Sequence, residues 1–106
     1  MPLEAPQFDL ERLEARAGNV ARRLAVLANA KRLLVLCHLM KGEASVGEIQ
    51  TALNITQSAL SQHLARLREA GMVTTRREAQ TIHYRIEDEQ TLAMMGALYD
   101  TFCNDD

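Results

Sequence analysis

The chain is short, slightly acidic and free of long apolar runs. Its 106 residues, formal charge of −2 and 25% charged side chains fit one globular domain, spanning residues 1–106, and leave no room for a second, catalytic domain. No segment approaches the ~20 apolar residues of a membrane span, and the N-terminus Met1-Pro2-Leu3-Glu4 lacks the features of a signal peptide. These observations favour a cytoplasmic protein without a membrane partner.

The first predicted element is an amphipathic helix with Asp9 as its N-cap. Its apolar residues recur at three- and four-residue steps and form one stripe, consisting of Leu10, Leu13, Ala17, Val20, Ala21, Leu24 and Leu27. A second helix is predicted after Asn29 and ends at Gly42. Segment 33–40 of this helix is apolar on nearly all sides, which predicts burial in the middle of the domain.

Two further helices are predicted around a tight turn. Ser45 and Glu48 have the spacing of a capping box for a short helix that runs through Leu53. Segment 54–56 (Asn-Ile-Thr) is expected to connect it to a fourth helix over 57–70, because Asn tolerates the left-handed conformation and Thr can act as an N-cap.

After Gly71 the apolar period changes to two, which predicts a β-hairpin. Its strands would be joined near segment 78–80, which contains none of the usual turn residues Gly, Asn or Asp. A last helix is then indicated by a second apolar stripe formed by Leu92, Met95, Leu98, Tyr99 and Phe102. The expected fold is mainly α, a winged helix-turn-helix with five helices and a two-stranded β wing.

The fourth helix carries a polar face that could bind double-stranded DNA. Ser58, Ser61 and Gln62 lie opposite its leucines and can exchange hydrogen bonds with base edges. The start of this helix can bind a phosphate, and arginines including Arg68 are placed to reach others. The predicted DNA-binding residues are Thr56, Gln57, Ser58, Ser61, Gln62, Arg66, Arg76, Arg77 and Gln80.

The distribution of charge removes the objection that an acidic chain should avoid DNA. Residues 22–86 contain ten basic and four acidic side chains, a local balance of +6, so the remaining −8 belongs to the two ends of the chain. A basic middle segment is what phosphate binding requires.

Segments 58–68 (SALSQHLARLR) and 76–85 (RREAQTIHYR) resemble the ArsR family of bacterial winged-helix repressors, and the similarity extends from about Leu24 to Cys103. The resemblance implies a homodimer with the first and last helices at its interface. It also implies binding to an operator with inverted repeats, and release when an inducer is sensed. The two apolar stripes support a dimer independently, since a fold of this size rarely needs both for its own core.

Cys37 and Cys103 are the two cysteines of the chain. Cytosolic thiols are usually reduced, so by themselves they predict buried small hydrophobic residues rather than a structural disulfide. Their positions also resemble the cysteine pair of a thiol-sensing subgroup of the same family. That resemblance implies that a persulfide or polysulfide inducer, or another oxidant, bridges the two residues through a disulfide or a chain of sulfur atoms.

Two other functions remain open at this point. A metal-sensing repressor of the same family would need about four ligands, but segment 46–53 has neither Cys nor His, and His38, His63 and His83 are scattered. We therefore expect no metal and no cofactor. A protein-interaction module could keep the fold without binding an operator. An enzyme is not expected, because no nucleophile-and-base pattern or Gly-rich phosphate loop is present.

Overall fold

The computed structural model describes residues 8–104. Segment 1–7 and the acidic pair at 105–106, which belong to the predicted acidic ends, lie outside this range. The elements in chain order are α1 (Leu10–Leu27), α2 (Ala30–Leu39), β1 (Ala44–Ser45), α3 (Val46–Leu53), α4 (Gln57–Glu69), β2 (Thr74–Glu78), β3 (Thr81–Arg85) and α5 (Glu89–Phe102). None of the helices in this range is both long and apolar enough to cross a membrane.

The helices begin where local capping chemistry predicts. Each N-cap side chain accepts a hydrogen bond from the backbone N–H three positions later, and the caps are Asp9, Asn29, Ser45, Thr56 and Asp88. At the start of α3 the predicted capping box is complete, since the Ser45 N–H also donates to the Glu48 carboxylate at 2.8 Å. These caps satisfy backbone amides that have no partner inside the helix.

The turn between α3 and α4 is confirmed. Asn54 adopts the left-handed conformation with φ of 52°, and its N–H donates to the carbonyl of Gln50. Thr56 then caps α4, so only Ile55 separates the C-cap of one helix from the N-cap of the next. This short connection fixes the angle at which α4 leaves α3.

The predicted two-stranded wing is incomplete, because the sheet has three strands in the order β1-β3-β2. The added strand β1 places Ala44 opposite Tyr84 and Ser45 opposite His83. Two residues are too few to produce a detectable period in the sequence, which is why β1 was not predicted. The strand ties the loop after α2 to the wing.

The buried core is formed mainly by the central helices. Val35 and Leu36 of α2, Ile49 of α3 and the three leucines on one face of α4 (Leu60, Leu64 and Leu67) are almost completely inaccessible. The predicted all-round burial of α2 is wrong for the single chain, since Leu34 is 47% exposed and Cys37 is also exposed. Hydropathy shows that this helix is apolar, but it does not show which of its sides other elements cover.

Helices α1 and α5 are apolar on faces that the rest of the chain does not cover. In α1 only Val26 and Leu27 are buried, and in α5 only Thr91 and Met95. The large apolar side chains left exposed on these helices are Leu10, Leu13, Val20, Leu24, Leu92, Tyr99 and Phe102. The two predicted stripes therefore exist, but they face mostly away from the core.

Candidate nucleic-acid interface and thiol pair

Helix α4 presents the predicted polar face to solvent. Ser58, Ser61 and Gln62 are exposed, whereas the leucines on the opposite side of the helix pack into the core. Gln57 and Ser58 follow the cap directly, and their amides belong to the first turn, which has no intrahelical acceptors. The Thr56 hydroxyl already accepts the Ala59 N–H at 3.2 Å, so this side chain fixes the helix start.

Two open clefts lie on either side of α4. Arg66 lines the first, of about 380 Å³, together with Asn19 and Arg22 of α1. Arg68 lines the second, of about 450 Å³, together with Ser61 of the same helix and Tyr84 of β3. The polar face of α4 is therefore flanked by a guanidinium group on each side.

The structure separates the two wing arginines that the sequence grouped together. Successive residues of a strand point to opposite faces of the sheet, so Arg76 and Arg77 lie on different faces. Arg77 is exposed, as is Gln80 in the turn. Arg76 instead donates to the Glu43 carboxylate, with Nη2 2.6 Å and Nε 3.2 Å from Oε1.

Electrostatic coupling at this ion pair is mutual. The hydrogen bond from Arg76 lowers the pKa of Glu43 below its ordinary value, although desolvation opposes the change. The same bond raises the pKa of Arg76. Glu43 was not among the candidate residues from sequence, because its partner lies 33 positions away and no local pattern connects them.

Cys37 and Cys103 are both free and exposed in the single chain, so they are not the buried hydrophobic residues that cysteine statistics favour. Cys37 lies in α2, three positions after the exposed Leu34. Residues three positions apart lie on the same face of a helix, so the two side chains are neighbours. Cys103 caps the C-terminus of α5, where its N–H donates to the Tyr99 carbonyl at 2.8 Å. Each thiol therefore borders uncovered apolar surface.

The histidines lie on three different elements. His38 is in α2, His63 in α4 and His83 in β3, and burial lowers the pKa of His63, with Arg32 and Lys31 adding to the effect. Within residues 8–104 no group of three or more His, Cys, Asp and Glu side chains could hold a metal ion.

Comparison with known proteins identifies relatives over nearly the whole chain. The family described as "Bacterial regulatory protein, arsR family" matches residues 29–75. The biofilm growth-associated repressor of Agrobacterium fabrum is 46% identical over 102 residues, covering 96% of this chain and 87% of the relative.

Solved structures extend the likeness to three dimensions. The transcriptional repressor BigR from Xylella fastidiosa superposes with a TM-score of 0.86 at 42% identity, covering 91% of this chain and 98% of BigR. Reduced HlyU from Vibrio cholerae gives a TM-score of 0.83 at 42% identity, covering 89% and 99% of the two chains. The chain thus belongs to the ArsR family of bacterial regulatory proteins and is a DNA-binding transcriptional regulator with a winged helix-turn-helix fold.

Proposed function

We propose that the protein is a homodimeric repressor that binds an inverted-repeat operator through α4 and is released when Cys37 and Cys103 are bridged by reactive sulfur species or oxidants. The observation that carries the DNA-binding part is the exposed Ser58, Ser61 and Gln62 face of α4, held by a tight capped turn. Because the ligand is chromosomal DNA, the proposed place of action is the cytoplasm.

Dimer formation is supported by the apolar faces of α1 and α5. Leu10 is 73% exposed, Leu24 54% and Phe102 74%, and an uncovered set of this kind is typical of an interface. The two helices are linked by an ion pair between Arg23 and Asp88, so they can act as one surface. A two-fold dimer would present two copies of α4 to two half-sites about one DNA turn apart.

Each α4 would enter a major groove. Gln62 is suited to bidentate hydrogen bonds with adenine, and Ser58 and Ser61 can bond to several base edges. Backbone phosphates would be bound by the helix start at Thr56 and Gln57, and by Arg66, with Gln80 near the tip of the wing. Such contacts supply affinity and register but little sequence information.

Sensing is supported by the exposure of both thiols and by their places on α2 and α5, outside the proposed DNA-binding face. One cysteine thiolate attacks the outer sulfur of a persulfide RS–SH, which forms Cys–S–SH and releases RS⁻. The second thiolate then attacks the inner sulfur, which forms the disulfide and releases HS⁻. A second sulfur transfer before closure gives a trisulfide, which spans a wider gap than a disulfide.

The bridge would restrain α2 relative to α5 and so change the spacing of the two α4 helices. A shift of a few ångström is enough to prevent both helices from docking together, because the half-site spacing of DNA is fixed. The similar HlyU structure from Vibrio cholerae is described as reduced HlyU, and this description supports the proposal of a redox-active cysteine pair.

The test is operator release after treatment with an organic persulfide, followed by electrophoretic mobility shift. Cys37→Ser and Cys103→Ser should each bind the operator normally and should not be released. Since the chain has two cysteines, the double variant Cys37→Ser/Cys103→Ser is a control without any thiol. Mass spectrometry should find a bridged peptide pair only in the wild type. Normal release from either single variant would refute the sensing step, and titration with zinc and with peroxide identifies a different inducer.

A further inference from the structure

The wing and α4 enclose a charged cleft whose two sides carry arginines with different electrostatic surroundings. Tyr84 of β3 lies across the cleft from Ser61 and Ala65 of α4, so the face of the sheet that carries Tyr84 is the one turned toward α4. Ala44, opposite Tyr84 in the sheet, is buried, which confirms that this face packs inward at its base.

The strand register assigns each wing arginine to a face. Thr75 pairs with Tyr84 and Arg77 pairs with Ile82, and directly paired residues of antiparallel strands lie on the same face. Arg77 is therefore on the α4 side, one pleat closer to the wing tip than Tyr84. Arg76 pairs with His83 and lies on the opposite side.

Acidic groups surround Arg76. Besides the Glu43 contact, its Nη1 is 3.5 Å from Oε1 of Glu78. The Glu43 carboxylate is also 3.6 Å from the guanidinium of Arg85, which in turn is 3.0 Å from Glu87. This face of the wing is thus a network of charges that already neutralise one another.

Among the described residues 8–104, Arg77 and Arg68 have no such acidic partners. Neither takes part in an ion pair within residues 8–104, and both side chains are exposed. Arg68 lines the cleft itself, with Glu69 beside it at the end of α4. Arg68 lies beside Ser61 in the cleft, and Arg77 lies on the face of the wing that is turned toward α4.

From this arrangement we infer that Arg68 and Arg77 form the binding site for one DNA backbone strand beside α4, whereas Arg76 does not bind phosphate and instead holds the wing to the loop after α2 through Glu43. The inference rests on the proposed entry of α4 into the major groove. It differs from the prediction from sequence, in which Arg76 and Arg77 had the same role.

The test is the salt dependence of binding to a mixed-sequence DNA duplex, measured by fluorescence anisotropy. Each phosphate contact contributes about 0.9 to the slope of log affinity against log salt, so losing one contact per subunit of a dimer lowers the slope by about 2. Arg77→Gln and Arg68→Gln should each show this loss. Across a fourfold rise in salt, each variant should then lose about tenfold less affinity than the wild type.

Matched variants separate charge from contact. Arg77→Lys keeps a cation and should retain the wild-type slope. Glu43→Gln combined with Arg76→Gln removes an ion pair without changing net charge, and the slope should again be unchanged while the melting temperature falls. Circular dichroism confirms that each variant is folded.

The outcomes separate the inference from the proposed function. A wild-type slope in Arg77→Gln overturns the inference, whatever the slope of the double variant Glu43→Gln/Arg76→Gln. If the salt slope of the double variant Glu43→Gln/Arg76→Gln falls by about 2, the inference is also overturned, because Arg76 would then contact phosphate. A wild-type protein that binds no duplex at all refutes DNA binding through α4 itself.

Discussion

Replacing Asp88 removes several contacts where α1 meets the start of α5. One carboxylate oxygen, Oδ2, accepts hydrogen bonds from the N–H and the hydroxyl of Thr91 and from the guanidinium of Arg23. Thr91 is completely buried, and the side chains of Arg23 and Asp88 are only 16% and 23% exposed. Asparagine at position 88 keeps an N-cap acceptor but loses the charge, whereas alanine loses both.

The contacts predict which of the two substitutions lowers the free energy of unfolding more. An ion pair at this depth lies between an exposed pair, worth less than about 1 kcal/mol, and a fully buried one, whose disruption costs about 3–5 kcal/mol. We therefore expect Asp88→Asn to lower the free energy of unfolding by about 1–2 kcal/mol. Asp88→Ala also loses the cap and leaves the Thr91 hydroxyl unsatisfied, for a total of about 3–4 kcal/mol.

Urea unfolding followed by circular dichroism measures these differences, at one protein concentration because a dimer gains stability by mass action. Arg23→Gln in a double-mutant cycle with Asp88→Asn should return the ion-pair coupling. Equal destabilisation by Asp88→Asn and Asp88→Ala would show that the cap contributes nothing, contrary to the geometry.

The same contacts predict a pH dependence with a definite sign. Burial raises the pKa of Asp88, but the hydrogen bonds from Thr91 and Arg23 outweigh it, so the pKa is lowered on folding. A carboxyl group with a lowered pKa stabilises the fold above its unfolded pKa, and this contribution is lost as pH falls through the folded pKa. The advantage of the wild type over Asp88→Asn should therefore shrink in acid. A difference that is constant with pH would refute this explanation.

Three other predictions concern the wing, the reading face and the dimer. Ala79 has a left-handed φ of 56°, so Ala79→Gly should raise the free energy of unfolding by about 0.5–1 kcal/mol. This value is the backbone strain that glycine relieves minus the entropy that it adds to the unfolded chain. A lower melting temperature would contradict this. Ser58→Ala with Gln62→Ala should weaken operator binding by about tenfold or more and leave the salt slope unchanged. Unaltered operator affinity would refute base contact by these residues, and unaltered regulation without operator binding would favour a protein-interaction module. Leu24→Glu should give monomers in light scattering, whereas Ala15→Glu on the opposite side of α1 should not, and a dimeric Leu24→Glu would exclude this interface.

Much of the fold could be predicted from sequence because capping and turn chemistry are local. Asn54 and Thr56 lie two positions apart, and their preferences alone indicate a helix, a sharp turn and a new helix. The inward leucines and outward polar residues of α4 followed in the same way from a period of 3.6.

What could not be predicted depends on contacts between distant segments. Arg76 and Arg77 are adjacent in sequence, and only the register of β2 on β3 and the presence of Glu43 give them different surroundings. The exposure of Cys37 depends on which side of α2 the neighbouring helices cover. Neither fact leaves a trace in composition or periodicity.

The separation of the two exposed cysteines from α4 has a thermodynamic consequence. With the thiols on α2 and α5, the proposed inducer and the operator would occupy different residues, so any effect of one on the other is a coupling free energy, which is reciprocal. If bridging weakens operator binding a hundredfold, operator binding must disfavour bridging a hundredfold. For a two-electron couple, this raises the midpoint potential of the disulfide/dithiol couple in the DNA-bound protein by about 60 mV. The dithiol of the DNA-bound protein should thus be harder to oxidise than that of the free protein.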